Sequence, residues 1–262
     1  MIPKTNLKQL AVNYNQKRKI DKATLNEIVD SVSDGLKIKV SCKILDIGCG
    51  SGRILLPLAI RNPSTKFIGL DVSEEMLNSL NTELSENKIG NITTIKHDAS
   101  ERLPFGDNEF DSVLLYHSYH IIKNKEFLAK EVKRILKPQG NLLIASTSHT
   151  QLATTLNYKY IPEMLIKEFQ RTPDIVNVVK TFKKTGFKLN KMKEITIRKS
   201  FKDLDEWINF LKQRPISALT FFDDERLKQL LSKMKKNLES NFGNFAIEYV
   251  FDYHTQIYLQ KI

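Results

Sequence analysis

The sequence predicts an α/β protein: a doubly wound, mostly parallel sheet of seven strands, with helical insertions after the fifth and sixth strands. Three observations predict it. Short apolar runs alternate with helical periods through the first 150 residues, the mark of repeated βαβ units. A glycine-rich loop, Gly48-Cys-Gly-Ser-Gly52, directly follows the first run and directly precedes a helix. An acid, Asp71, closes the second run 19 positions beyond Gly52.

Each element can be justified in order. Lys43 to Ile47 is a buried strand, and Arg53 to Arg61 continues from the glycine loop as an apolar-faced helix. Lys66 to Leu70 is the second strand. Ser73 then caps a helix whose first turn carries Glu74 and Glu75, favourable to the helix dipole. Ile92 to His97 is the third strand, followed by Asp98, and Phe110 to Tyr116 is the fourth. A helix over Lys125 to Leu136 is stopped by Lys137-Pro-Gln-Gly140, and Asn141 to Ser146 is the fifth strand. The segment His149 to Arg171 has helical spacing. Thr172-Pro173 reads as the cap and first position of a further helix that Gly186 ends. Thr196 to Phe201 is a strand, Leu204 to Lys212 and Asp223 to Asn241 are helices, and Ala246 to Ile262 alternates as a closing strand. The chain is expected to be one domain, 1–262, on which the insertions 149–171 and 202–242 form a cap.

Composition bounds the rest. No apolar run is long enough to span a bilayer, and Met1 to Lys19 lacks the continuous apolar stretch of a secretory signal. Cys42 and Cys49 offer neither zinc spacing nor a disulfide framework, so no metal and a cytoplasmic setting are expected. The net charge of +11 raises nucleic acid as a partner. From Gln151 onward 20 Lys and Arg face 13 Asp and Glu, so the excess is spread along the chain; lysines also outnumber arginines by 32 to 9. Nucleic acid is therefore possible but not favoured, and a monomer or homodimer without membrane attachment is expected.

The glycine loop sits where backbone can approach a ligand closely and helix N–H groups face it. Asp71 stands near the spacing of an acid that hydrogen-bonds ribose hydroxyls. The spacing is G-x-G-x-G rather than the dinucleotide G-x-G-x-x-G, and Asp46 lies two positions before the first glycine. An acid there accepts from an ammonium and repels a pyrophosphate. An amino-acid-bearing nucleoside therefore suits the loop better than a nicotinamide dinucleotide.

On these residues the chain resembles a known family. Ile44-Leu-Asp-Ile-Gly-Cys-Gly-Ser-Gly-Arg-Ile-Leu-Leu-Pro-Leu-Ala59 looks like the first motif of class I, Rossmann-like methyltransferases, and Ile68-Gly-Leu-Asp-Val-Ser-Glu-Glu-Met-Leu77 like the second. Asp98, Leu103-Pro-Phe-Gly-Asp-Asn-Glu-Phe-Asp111 and Glu131-Val-Lys-Arg-Ile-Leu-Lys-Pro-Gln-Gly140 are similar to later motifs of the group that includes the ubiquinone-biosynthesis and trans-aconitate enzymes. Gln139 departs from the family's usual glycine. The resemblance implies S-adenosylmethionine as cofactor and S-adenosylhomocysteine as product. It implies that Asp46 and Gly48 meet the methionine end, that Cys49, Gly50 and Gly52 also bind the cofactor, and that Asp71 binds the ribose. Val72 or Met76 would pack on the adenine, with Asp98 and Ala99 at its amino group. Tyr14 matches an aromatic that closes over the cofactor, and Tyr116 ends the strand beside it.

Methyl transfer needs orientation and a dry pocket, and a base only if the acceptor must lose a proton. Tyr116-His-Ser-Tyr-His120 ends the fourth strand, where a doubly wound sheet faces its ligand crevice. His120, His117 and Tyr119 are the candidates for proton handling, with Tyr119 and His120 also on the acceptor. Trp207 and Arg214 are acceptor-side candidates in the second insertion, Arg214 as a clamp for a carboxylate. The absence of Asp/Asn-Pro-Pro-aromatic after the fourth strand and of a Pro-Cys nucleophile disfavours base methylation. The expected activity is methyl transfer to a small molecule. An RNA methyltransferase, another reaction that consumes the same cofactor, and a binding protein without turnover stay open.

Overall fold

Seven strands form one sheet in the order β3-β2-β1-β4-β5-β7-β6. They are β1 (Lys43–Ile47), β2 (Lys66–Asp71), β3 (Ile92–Lys96), β4 (Phe110–Tyr116), β5 (Leu136–Ser146), β6 (Phe187–Phe201) and β7 (Ile247–Lys261). The helices are α1 (Lys22–Leu36), α2 (Leu55–Arg61), α3 (Glu74–Glu86), α4 (Lys125–Ile135), α5 (His149–Thr154), α6 (Leu156–Tyr160), α7 (Pro162–Arg171), α8 (Ile175–Lys184), α9 (Leu204–Lys212) and α10 (Asp224–Phe242). This computed structural model describes residues 18–243 and 247–262. The chain divides into two units. A sheet unit comprises Asp21–Ser146, Asp174–Glu194 and Thr255–Ile262; a helical unit comprises Thr147–Pro173 and Ile195–His254 with the stretch that ends at Ile20.

In the sheet unit β1 to β5 are parallel, and Thr255 to Gln260 of β7 pairs antiparallel with β5. Parallel strands covered on both faces read as unbroken apolar runs, and β1 and β4 do so, with Leu45, Ile47, Val113, Leu114 and Leu115 fully buried. α1 starts at Asp21, whose carboxylate accepts from Thr24 N at 2.9 Å, and buries Ile28, Val29, Val32 and Leu36 on one stripe. α8 lays Ile175, Val178 and Phe182 into the same core as Leu128, Val132 and Ile135 of α4. Glu131 and Arg134 of α4 hold the chain before β4: Glu131 accepts from Leu103 N at 2.9 Å, and Arg134 donates to the carbonyls of Leu103 and Phe105.

Several boundaries depart from the sequence expectation for local reasons. β5 begins at Leu136, directly after α4, because the segment expected only to stop the helix is itself extended around a bulge. Leu136 faces Phe110 and Asn141 faces Ser112, with Gln139 taken up in a left-handed conformation at φ 60°. That conformation explains why glycine suits position 139. The segment 149–171 is three helices, since Thr155 and Ile161 leave the helical region; Ile161 precedes Pro162, which disfavours helix at the residue before it. The next helix is capped by Asp174, not Thr172, whose hydroxyl donates instead to Glu168 at 2.9 Å. β6 starts at Phe187, nine residues earlier than its apolar alternation shows. Lysines along an edge strand conceal the pattern while blunting the edge.

The helical unit packs α9 on α10 and α7 on a 3-10 turn, Ser217–Phe221. Inside it lie Trp207, Leu204, Leu211, Met164 and Leu231, each with no measurable exposure. Its polar interior is paired. Arg171 bonds Glu168 at 2.8 Å and Ser217 Oγ at 2.6 Å, and its guanidinium lies 4.7 Å from the Phe221 ring centre.

Gly35 lies in α1, where alanine ordinarily stabilises a helix by about 1 kcal/mol. A Cβ there would lie 2.1 Å from Cε1 of Tyr258 and 2.8 Å from Leu143 Cδ1. The Tyr258 ring is buried, so overpacking wins: Gly35→Ala is expected to lower stability by about 2 kcal/mol. The measurement is the urea midpoint; an unchanged or raised midpoint would show that the ring yields.

Candidate functional site

The loop between β1 and α2 is fixed by the carboxyl ends of its two neighbouring strands. Gly48 N and Cys49 N both donate to the carbonyl of Leu70, at 2.7 and 3.1 Å, which hangs the loop on β2. Asp71, one residue on, accepts from Gly50 N at 2.8 Å and from Ser73 N at 2.9 Å. On the β4 side, Ser118 Oγ donates to Ile47 O at 2.5 Å. Glycine is required at 48 because φ is +74° and a Cβ would stand 2.3 Å from that of Ser118. Gly50, at φ +56°, has no atom within 4 Å of where its Cβ would be, so the loop leaves open room there.

Two buried polar atoms beside this loop lack hydrogen-bond partners among the described residues. Asp46, at the end of β1, is 2% exposed, and its Oδ1 has no hydrogen-bond partner among the described residues. Burial, with Asp71 adding repulsion, pushes its carboxyl up to about 8. Arg53, just past Gly52 and half-buried, likewise holds its buried Nη1 without a partner among the described residues. Asp71 is raised more moderately, because backbone N–H bonds from Ser73 and Gly50 offset its desolvation. Burial also pushes the Cys49 thiol up, which removes it as a nucleophile.

The other expected cofactor residues are placed as follows. Met76 and Ala99 are buried, while Val72 is 47% exposed. Asp98 accepts from Ser100 N at 2.8 Å, and that bond holds its carboxyl below the usual range. Gly52 turns the chain into α2, donating to Cys49 O at 3.1 Å. Tyr14 lies outside the described residues.

At the end of β4, Tyr116 is buried and its ring meets the His117 ring edge-on, 5.1 Å between centres. His117 has φ 57°, a left-handed conformation uncommon outside glycine, and its N–H donates to Ala145 O at 3.1 Å. His120 lies in the following turn, partly exposed. Tyr119 is placed differently from its neighbours. It is 1% exposed in the core, 5.7 Å from Phe182, and burial raises its hydroxyl far above the usual phenol range while Thr181 bonds it. Its described contacts are those of a core side chain.

The two acceptor-side candidates of the helical unit are both deep inside it. Trp207 has no measurable exposure. Arg214 is 4% exposed and bonds the carbonyls of Leu219 and Phe222 and Asp224 Oδ1. Its fork is thereby occupied by its own chain, and the geometry gives it the part of a brace for the 3-10 turn. Sequence reasoning passed over Ser118 and Arg53. Only tertiary pairing reveals Ser118, but Arg53 was legible as a cation set directly after the glycines.

What this arrangement can do is bind a nucleoside. An unpartnered buried carboxylate, a loop opened by Gly50 and a second carboxylate at the end of β2 suit an ammonium-bearing sugar nucleoside. A model of the methyltransferase domain matches residues 38–209. The demethylmenaquinone methyltransferase of Staphylococcus carnosus is 31% identical over 186 residues, which span 63% of this chain and 76% of that protein. That of Lactococcus lactis is 32% identical over 164 residues, 55% of this chain and 65% of that one. The phospholethanolamine N-methyltransferase 2 of Haemonchus contortus, solved with phosphomonomethylethanolamine and S-adenosylhomocysteine, shares the fold. Its TM-score is 0.58 at 21% identity, over 90% of this chain and 52% of that one.

The raised carboxyl of Asp46 has a consequence for stability. Its folded value, about 8, stands above the ordinary aspartate value of 3.8, so the folded state keeps a proton that the unfolded state releases. The penalty therefore begins near pH 4, grows as pH rises and levels off near pH 8. Asp46→Asn removes it and is expected to stabilise the protein by about 2–4 kcal/mol at pH 8.5 and by clearly less at pH 5. Thermal melting of both proteins across that range is the check; a gain independent of pH would mean that Asp46 ionises normally.

Proposed function

The chain belongs to the class I, S-adenosylmethionine-dependent methyltransferase family, and from that membership we propose that it methylates a small-molecule acceptor held at the carboxyl end of β4. The observation that carries the reading is Asp46, a buried carboxyl group whose Oδ1 has no hydrogen-bond partner among the described residues, set beside a glycine loop that β2 and β4 hold open.

When bound, the cofactor supplies a methyl group already activated by a sulfonium. The chain's residues bind and orient. Asp46 takes the ammonium, and the loop Gly48, Cys49, Gly50 and Gly52 lies along the methionine end. Asp71 takes the ribose hydroxyls with the lone pairs that Gly50 N and Ser73 N leave free. Met76 and Ala99, buried, and Val72 flank the adenine, whose amino group meets Asp98. Binding ionises Asp46, so below pH 8 part of the binding energy goes to removing its proton, and affinity rises with pH up to about that value.

The chain would hold the acceptor at the carboxyl end of β4 against the bound cofactor, which would supply the methyl group. If the attacking atom carries a proton, His120 or His117 accepts it, since both belong to the turn that leaves β4. The relatives are named for demethylmenaquinone, which makes a quinone of that kind the first acceptor to try. A carboxylate on the acceptor would have to compete at Arg214 with the carbonyls of Leu219 and Phe222 and with Asp224 Oδ1, which its Nη1 and Nη2 already bond.

Calorimetric titration is expected to show micromolar binding of S-adenosylmethionine and S-adenosylhomocysteine and none of NADH; the reverse would overturn the reading. With reduced demethylmenaquinone as acceptor, His120→Ala is expected to lower kcat about a hundredfold while S-adenosylhomocysteine affinity stays within twofold. Full turnover in both His120→Ala and His117→Ala would remove the base from the proposal.

A further inference from the structure

Within the sheet unit, a cavity of about 320 Å³ lies between α1 and β6. Glu27, Asp30, Ser31 and Asp34 of α1 line one wall, and Lys191 and Lys193 of β6 line the other. The helix positions share one face at i, i+3, i+4 and i+7, and the strand positions, two apart, share one face of the sheet. The walls are therefore opposite in sign. Asp30 is already engaged by Arg61. Lys193 Nζ donates to Ser31 Oγ at 3.2 Å, and Lys191 Nζ lies 4.6 Å from the centre of the Tyr258 ring. Both of those contacts are with uncharged groups. Among the described residues no ion pair joins either lysine to Glu27 or Asp34, because the cavity stands between them.

Behind Ser31 the structure is polar and buried. Ser31 Oγ donates to Gln256 Oε1 at 2.8 Å and lies 2.9 Å from the Tyr258 hydroxyl, which also bonds Gln256 Oε1. Gln256 has no measurable exposure, and its Nε2 bonds nothing among the described residues. Turning the amide over only exchanges which of its two atoms is unpaired. Such a group is costly to bury, and it stands one amide's width behind a hydroxyl on the cavity wall.

Charge selects the class of ligand. Glu27 and Asp34 repel a simple anion, and Lys191 and Lys193 repel a polyamine. A molecule that carries both an ammonium and a carboxylate meets neither objection. The volume is at the small end of ligand pockets, which run from about 300 to 1,000 Å³. We propose that this cavity is a second binding site, for a small zwitterion of amino-acid type. Its ammonium faces Glu27 and Asp34, and its carboxylate faces Lys191, Lys193 and the hydroxyl of Ser31. The site uses no residue of the glycine loop and stands apart from the cofactor reading.

The test is an NMR titration of the isotope-labelled full chain, with S-adenosylhomocysteine in excess so that amino acids do not enter the glycine loop. The probes are glycine, β-alanine and γ-aminobutyrate, which differ in charge separation, with butylamine and butyrate as single-charge controls. At least one zwitterion is expected to shift the Gln256 side-chain amide and to bind about tenfold more tightly than either control. Glu27→Gln and Lys193→Gln, both at exposed positions, are each expected to weaken that zwitterion about tenfold. Their melting temperatures and their affinity for S-adenosylhomocysteine stay at the parent values. A Gln256 amide that no zwitterion moves, or controls that bind as tightly as every zwitterion, overturns the site. So does zwitterion binding that survives undiminished in both variants.

Discussion

The sheet unit depends on where β2 ends. The parallel register sets Ile47 beside Leu70, so that β1 runs out one residue short of its neighbour. The Leu70 carbonyl then takes two successive N–H groups from the loop, and the Asp71 carboxylate takes a third. Without those three bonds the loop's N–H groups would face a buried interior unpaired, which folded proteins avoid. One register thus fixes loop shape, the start of α2 and the position of both acids. Ser118 closes the other side from β4, and the glycine at 48 follows from the closeness of that contact.

The same loop carries the least satisfied charges described in the unit. Its core is dense, with aromatic rings of Phe182 and Phe187 edge-on at 5.4 Å and long runs of fully buried aliphatics around them. Burial at about 25 cal/mol per Å² of apolar surface easily outweighs a penalty of a few kcal/mol. Stability is thereby given up where a ligand of complementary charge can restore it, a common relation between strain and function. Asp71 shows the contrast. It is also buried, yet its N–H donors keep its shift moderate, because it has a structural task whether or not a ligand is present.

Much of this was legible in the sequence, and the pattern of what was not is physical. β1, β4 and α9 have the bounds that periodicity gives them, and Ser73 caps α3 as its side chain implies. The glycine loop and Asp71 were readable because their spacing reflects a local βαβ unit. β5 was misjudged by five residues because a bulge around Gln139 looks like a turn when only the chain is seen. The helix starting at Pro173 failed because Asp174 competes better as a cap than Thr172, whose hydroxyl is drawn to Glu168. Tyr119, Trp207 and Arg214 share a subtler difficulty. Each belongs to a residue type rich in function, and only the fold shows how deeply each is buried, at 1%, 0% and 4% exposure. Ser118 is the reverse case, a plain serine whose importance comes from a strand far away in sequence.

The cofactor side and the acceptor side are therefore built by different means. Strand ends build the first, and their positions follow from spacing. For the second, charge is the informative quantity. Arg171, Arg214 and Arg226 of the helical unit each face a carboxylate of that same unit. Releasing one of them would leave a buried Glu168, or the carbonyls of Leu219 and Phe222, short of a donor. The folding of that unit therefore already uses these three guanidinium groups. For the acceptor proposed above, Tyr116 and the two imidazoles of the turn after β4 would be the groups that hold a ring by its faces and accept a phenolic proton. Affinity for such a ligand would come from apolar burial, and selectivity from which of its hydroxyls the imidazoles can reach.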